Sequence, residues 1–378
     1  MSLHRMVVRA VLATFAASAA LVVTASAQKP AKTRDSAKLA KDSAKMAKAA
    51  KDSGEVSRFF RSEAPLTVTL TTNINRIRGD KAENPPWRAA TLRYVAAAPD
   101  TGTVTVPLRV KTRGIWRRKN CEFPPIWLNF NNAAKKTEFR GLDQVKLTSY
   151  CRNNDEYERY VLQELQVNRA LRLLTPYSHA VRLVRVTYVD SASGKTETAR
   201  YAFVQEEPLS LAGRVGGRML SSTGATPADL DPVQSALVGV FEYFAGNTDF
   251  SISALHNIEL LGPNDGGLAV PIARDFDFSG AVNPRYATVD PQLTRIRTVR
   301  ERLFRGYCAP ADAFQKVFAL FNAKKQAIYG LYSDPIGRLL PEGTVKETLA
   351  YFDEFYKTIN DPKAAKSDII DACLGGKR

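Results

Sequence analysis

Between Asn247 and Asp277 the chain places Asn247-Thr248-Asp249, then His256-Asn257 ahead of an apolar run, then Asp275-Phe276-Asp277 behind a second one. Three carboxylates and an amide at the ends of two short strand-like segments, Ile258 to Leu261 and Leu268 to Ala273, are what a magnesium-phosphate site requires: hard oxygen ligands, a proton acceptor and rigid supports. Asp249 follows a predicted helix and a Gly-Asn-Thr turn, so its carboxylate is presented on a loop, where it could act as general base or orient an attacking hydroxyl. Taken alone it is a turn residue; its company gives it chemistry. Asn257 offers a metal an uncharged oxygen, and His256 is its catalytic-loop neighbour, bracing the loop. Asp275 is expected to be a metal ligand and Asp277 a second ligand or its support. The two converge only if the chain turns after the strand, which Ser279-Gly280 encourages.

The elements that must carry these residues are predicted in two blocks. From Leu66 the sequence alternates in short runs, Leu66 to Thr71, Ala90 to Val95, Val104 to Arg113, Ile126 to Phe130 and Gln144 to Thr148, and a hairpin joins Val181 to Val189 with Arg200 to Gln205. One helix interrupts them, from about Asp155 to Leu174. On it Tyr160, Glu164, Val167, Leu171 and Leu174 share a face, so Glu164 stands in an apolar stripe where its carboxylate needs a cation from the neighbouring sheet or must reach water at the stripe's edge. Beyond Gln205 the pattern is mainly helical: a helix through Val233, Leu237, Val240, Phe241 and Phe244 stops at Gly246, and others fit Ala311 to Leu331 and Thr344 to Ile359. The expected class is α+β, with a β-rich N-terminal lobe over 58–207, one crossing helix, and a mainly helical C-terminal lobe over 208–378 that carries the metal and catalytic loops.

The first 27 residues read as an export signal: Arg5 and Arg9, an apolar run from Ala10 to Val23, and Ala25-Ser26-Ala27 before Gln28. A periplasmic or extracellular location follows. Residues 28–57 repeat a basic unit, Arg34-Asp-Ser-Ala-Lys-Leu-Ala and Lys41-Asp-Ser-Ala-Lys-Met-Ala, and are expected to be a solvated linker or a tether to an anionic surface. The formal charge of +16 favours anionic partners such as nucleotides, acidic or phosphorylated proteins, cell-wall polymers or membrane surfaces, without choosing among them. No specific nucleic-acid partner is expected.

All four cysteines, Cys121, Cys151, Cys308 and Cys373, lie beyond the leader, and an even number in an exported chain suggests disulfides. Four cysteines permit three connectivities; pairing Cys121 with Cys151 and Cys308 with Cys373 keeps each bridge within one block. The lack of a C-x-x-C spacing argues against a zinc site of the usual kind. Gly194-Lys195-Thr196 sits in a hairpin turn and lacks the partner glycine of a phosphate-binding loop, and Arg214-Val-Gly-Gly-Arg218 lacks G-x-G-x-x-G spacing and fits a flexible linker.

From about Val106 to Ala281 the chain resembles the CotH family of spore-coat and secreted atypical kinases. The likeness rests on Arg113-Gly114 after a strand, Tyr150 to Leu174 as a helix with its lead-in, Tyr201-Ala-Phe-Val-Gln-Glu-Glu207 as a strand into a hinge, and the Asn247-to-Asp277 group. The resemblance implies a two-lobed protein-kinase-like fold, ATP and Mg²⁺ in the cleft, Asp249 as the catalytic Asp, Asn257 and Asp275 on metal, and Ser or Thr of an extracytoplasmic protein as acceptor. It places Glu164, Gln205 and Glu206 at the nucleotide. Where the family often has a polar run after Arg-Gly this chain has Ile115-Trp116-Arg117, and Asn129 stands where a lysine is common, so Arg113, Arg118 and Lys146 become the candidates for clamping the phosphates. A catalytically inactive member serving as a nucleotide-binding or anionic-polymer-binding scaffold is the alternative.

Overall fold

Strand β1 (Leu66–Thr72) buries alternate residues, Val68, Leu70 and Thr72, and so shows one face to a core. It pairs antiparallel with β2 (Arg88–Ala96), which pairs with β3 (Gly102–Thr112), then β4 (Ile126–Asn129) and β5 (Gln144–Thr148). Beyond β5 come β7 (Arg200–Gln205) and, beside it, β6 (Val181–Asp190). The free edge of β6 then meets β1 in parallel, Leu66 opposite Val184 and Thr72 opposite Asp190, and the sheet closes on itself. This computed structural model describes residues 56–96, 102–131 and 133–375. The expected export signal, and all but the last two residues of the expected linker, lie outside them.

The closure corrects the expected fold. Instead of a two-lobed α+β protein-kinase-like arrangement with a β-rich N-terminal lobe and one crossing helix, the chain forms a closed seven-stranded mixed barrel and a separate three-stranded sheet. Reading each strand only with its hairpin neighbours leaves β1 and β6 as two open edges. Their parallel register joins segments far apart in sequence, a pairing to which local alternation is blind. The barrel interior is apolar, with Val68, Leu70, Leu92, Leu128, Leu147, Val184, Val186 and Val204 packed around Phe139. Each such side chain contributes roughly 1.5–3 kcal/mol by leaving water.

Four long helices occur among the described residues: α1 (Asp155–Leu174), α2 (Pro232–Ala245), α3 (Ala311–Gly330) and α4 (Glu342–Asn360). The Asn154 side chain caps α1, three acidic residues fill its first turn, and Asp231 caps α2. Helix α1 packs on β6 and β7 with one side and on α3 with another. It is therefore buried nearly all round, Glu164 included. The second sheet runs β10 (Val270–Ala273), β9 (Ile258–Pro263) and β8 (Gly217–Leu220). Strand β8 occupies a segment expected to be a linker, and the helix Pro208–Arg214 leads into it.

Disulfides join Cys121 to Cys151 and Cys308 to Cys373, the connectivity that keeps each bridge local. The first ties the end of the short helix Trp116–Asn120 to the lead-in of α1; the second ties the segment before α3 to the last described turn. Replacing Cys308 and Cys373 together with Ala should lower unfolding stability by about 2–4 kcal/mol by freeing a long loop in the unfolded chain. Urea titration of the double variant checks this, and a change under about 1 kcal/mol would contradict it. No helix among the described residues is long and apolar enough to cross a membrane.

Candidate functional site

Helix α2 ends at Gly246 in the left-handed region, φ 67°, where a Cβ would lie 1.9 Å from the Tyr351 hydroxyl oxygen. Only glycine fits there, so the chain leaves the helix sharply and presents Asn247-Thr248-Asp249 as a loop. The Asn247 side-chain oxygen accepts from the Asp249 backbone N–H at 3.0 Å. Paired backbone hydrogen bonds between Ser251 and His256 fold the chain back, and His256 Nε2 meets Asp249 Oδ1 at 2.9 Å. Asn257, at φ 52°, donates its amide to the Asp249 carbonyl at 2.7 Å and to Oδ2 at 3.1 Å. The hydrogen bond that His256 donates to Asp249 raises the His256 pKa, so the imidazolium is favoured beside the half-exposed carboxylate.

Strands β9 and β10 pair with Ile258 opposite Ala273, which sets Asn257 and Asp275 at the same end of the ladder. The Arg274 N–H donates to the Asn257 carbonyl at 3.0 Å. Asp275 is left-handed, φ 64°, and Phe276 is fully buried in the helical core. Burying Phe276 while the chain turns at Ser279 throws its two neighbours together, close enough for Asp275 and Asp277 to act on one another's ionisation. The convergence required by the sequence is thus met by a turn rather than by strand alternation. Arg117, from the short helix Trp116–Asn120, bridges Asp277 at 2.7 Å and Glu164 of α1 at 2.6 Å. Glu164 is 3% exposed, so its cation is this arginine and not water.

The carboxyls divide by surroundings. Burial opposes ionisation at Asp275, yet Arg117, Arg113 and Arg274 hold it down at about 2. Burial pushes Asp277 well above the usual range, Arg117 only partly offsets that, and the neighbouring Asp275 charge adds to it. On the facing side Arg113 donates to Thr148 Oγ1 at 2.7 Å, while its Nε has no hydrogen-bond partner among the described residues. Burial lowers the Arg113 pKa to about 10 and that of Lys146 to about 8, with Arg274 and Arg113 repelling Lys146 further. Glu259 of β9 gathers His179 at 2.9 Å, Arg274 at 3.1 Å and Lys146 at 3.6 Å, and these cations hold its carboxyl low against burial.

The remaining expected site residues are placed differently. Gln205 lies directly opposite Lys146 in the β5–β7 ladder and so flanks the cationic side. The Glu206 carboxylate is taken up by the Ala180 N–H and by Arg214, bracing the chain where β7 ends. Arg118 donates to the carbonyl of Glu83. Asp277 is engaged by Arg117 rather than free for a metal, and among the described residues no three His, Cys, Asp or Glu side chains are grouped to hold an ion.

Sequence reasoning missed Arg117, Glu259, Arg274 and His179. A glutamate inside the apolar run Ile258-Glu-Leu-Leu was the one signal for Glu259, and Arg274 adjoins Asp275 directly. It also missed three arginines that fix the loops: Arg300 donates to the Gly280 carbonyl, Arg302 to those of Tyr243, Phe244 and Tyr351, and Arg305 to that of Thr248. A separate cavity of about 470 Å³, lined by Tyr243, Arg295, Arg300, Arg302, Glu354 and Thr358 among others, holds none of the expected site residues. No protein-family model matches the chain, and no curated protein matches it.

Proposed function

We propose that Arg113, Lys146, Arg274 and Asp275 bind the phosphates of ATP, and that the chain is an exported kinase passing the terminal phosphoryl group to a Ser or Thr hydroxyl of an extracytoplasmic protein. The observation that carries this reading is the gathering of Arg113, Lys146 and Arg274 near Asp275, with the Arg113 Nε lacking a hydrogen-bond partner among the described residues. Arg274 and Arg113 oppose the charge of Lys146, Arg274 opposes that of Arg113, and Glu259 offsets part of this at Lys146. Cations whose charge burial disfavours suit a polyanion that arrives with its own counter-ion. The resemblance to the CotH family supports this through the residues at the site alone, since the closed barrel departs from the fold it implied.

Asp275 and the Asn257 side-chain oxygen are the groups that would hold magnesium, an ion that takes one or two protein ligands and completes its shell with phosphate and water. When bound, the ion supplies charge neutralisation on the phosphate oxygens. The chain's own part is to bind and orient. Lys146 and Arg113 meet anionic oxygens, and Asp249, its carboxylate held by His256 and Asn257, accepts the proton of the attacking hydroxyl. The leader-like start and the two disulfides support export.

A second reading is binding without transfer, as a nucleotide-binding or anionic-polymer-binding scaffold. In its favour, both Asp249 oxygens already have donors. Incubation with radiolabelled ATP and exported proteins separates the two: label appearing on protein supports the kinase, and binding with no label over hours supports the scaffold.

Lys146 sets a pH dependence. Its ammonium, deprotonating at about 8 in the free protein, is the form an anion prefers. Below that pH it is already charged, whereas above it binding must take up a proton. Nucleotide affinity should therefore be level from pH 6.5 to 7.5, on the order of one unit below that pKa, and fall by up to about tenfold per unit above it. Titration calorimetry across this range checks it, and constant affinity to about pH 9.5 would contradict it.

A further inference from the structure

Glu242, on the last turn of α2, is a titratable group that the proposed chemistry does not use. It is 0% exposed and lies within the helical core beside Phe241, Tyr243 and Phe244. Its Oε2 accepts from the Asn247 side-chain amide at 2.9 Å, and its Oε1 has no hydrogen-bond partner among the described residues. The Asn247 backbone N–H donates to the Glu242 carbonyl at 2.8 Å, so the two residues are joined twice. Asn247 is itself buried, and its side-chain oxygen holds the Asp249 N–H. A continuous line of hydrogen bonds therefore runs from the core carboxyl, through one amide, to the loop that presents Asp249.

No cation accompanies Glu242 in this line. An ionised carboxylate sealed in apolar surroundings with one amide donor would lack the partner that buried charges require. Protonation replaces that uncompensated charge with a single unpaired neutral oxygen, a smaller penalty. Burial drives the group the same way, and the nearby Asp249 charge adds to it. The sealed Glu242 thus has surroundings that favour the neutral acid, whereas Asp249 lies half-exposed on its loop.

We propose that Glu242 is a positioning residue that works as an uncharged carboxylic acid, orienting the Asn247 amide so that its oxygen fixes the backbone of Asp249. The inference rests on the proposed role of Asp249. A leucine at 242 would keep the volume but leave the Asn247 amide unpaired and free to rotate; a glutamine would keep an acceptor oxygen and the neutral charge.

The test compares the full chain with its Glu242→Gln and Glu242→Leu variants. Glu242→Gln should hold kcat within about threefold, while Glu242→Leu should lower kcat about 100-fold, the scale expected when a catalytic group moves by about 1 Å, with the KM for ATP unchanged. Two readouts do not need activity. Infrared difference spectra between wild type and Glu242→Gln should show a protonated carboxyl band lost at neutral pH. The Asn247 side-chain amide should exchange slowly with solvent in wild type and Glu242→Gln, and rapidly in Glu242→Leu. Absence of the band, or a Glu242→Gln variant as impaired as Glu242→Leu, would overturn the proposal. An absence of transfer in wild type with the band and slow exchange present would refute the kinase reading while leaving the neutral Glu242 anchor standing. If Glu242→Leu does not fold, the wild-type band and the Glu242→Gln kinetics decide.

Discussion

Changing Asp275 to Asn is expected to weaken magnesium-dependent ATP binding by at least about 100-fold, roughly 3 kcal/mol, with the fold intact. The substitution is chosen for the backbone. Asp275 sits at φ 64°, a region asparagine tolerates and alanine does not, so the variant keeps the turn and loses only charge. What it removes is the one carboxylate that Arg113, Arg117 and Arg274 keep ionised. Without it Arg113 loses its strongest carboxylate attraction and magnesium loses its anionic ligand. Some affinity for ATP without metal should remain, or even rise, because one negative charge is removed. A variant that binds Mg-ATP as tightly as wild type would remove Asp275 from the metal.

Changing Arg117 to Met should cost about 3–5 kcal/mol of folding stability, the usual cost of stripping one member from a buried ion pair. Among the described residues Arg117 alone bridges Asp277, after β10, and Glu164, on α1. Methionine retains the aliphatic stem, so packing is little changed and the loss reports on charge. The Cys121–Cys151 bridge keeps the short helix in place, which should confine the damage to the carboxyl pair. Burial already pushes Glu164 upward, so in the variant this carboxyl should take up a proton, and the deficit should shrink as pH falls. Urea unfolding followed by tryptophan fluorescence measures it; a loss below about 1 kcal/mol would mean the network is dispensable.

Where local pattern decides structure, the sequence was readable. Helix α1 runs from Asp155 to Leu174 as its apolar spacing and its Asn154 cap require, α2 stops at Gly246, and the β9 and β10 strands set Asn257 and Asp275 at one end of their ladder. Periodicity failed where the partner is distant. The parallel pairing of β1 with β6 closes the barrel, and nothing in either strand announces it. The site divides the same way. Asp249, His256, Asn257, Asp275 and Asp277 were legible because they cluster along the chain, and the need of Glu164 for a cation followed from its stripe. That cation came from Arg117 on a five-residue helix, and Glu259 came to hold Lys146, His179 and Arg274, because tertiary packing rather than spacing joined them. Glu206 read as a nucleotide contact, and its carboxylate is tied to Arg214, a partner at the start of the segment that read as a linker.

The most direct test is titration calorimetry of the protein with ATP, once with magnesium and once with EDTA. The phosphate-site account predicts saturable binding at one site with Kd on the order of 1–100 μM in magnesium, weakened at least about tenfold by the chelator. No heat of binding at millimolar ATP in either buffer would contradict it.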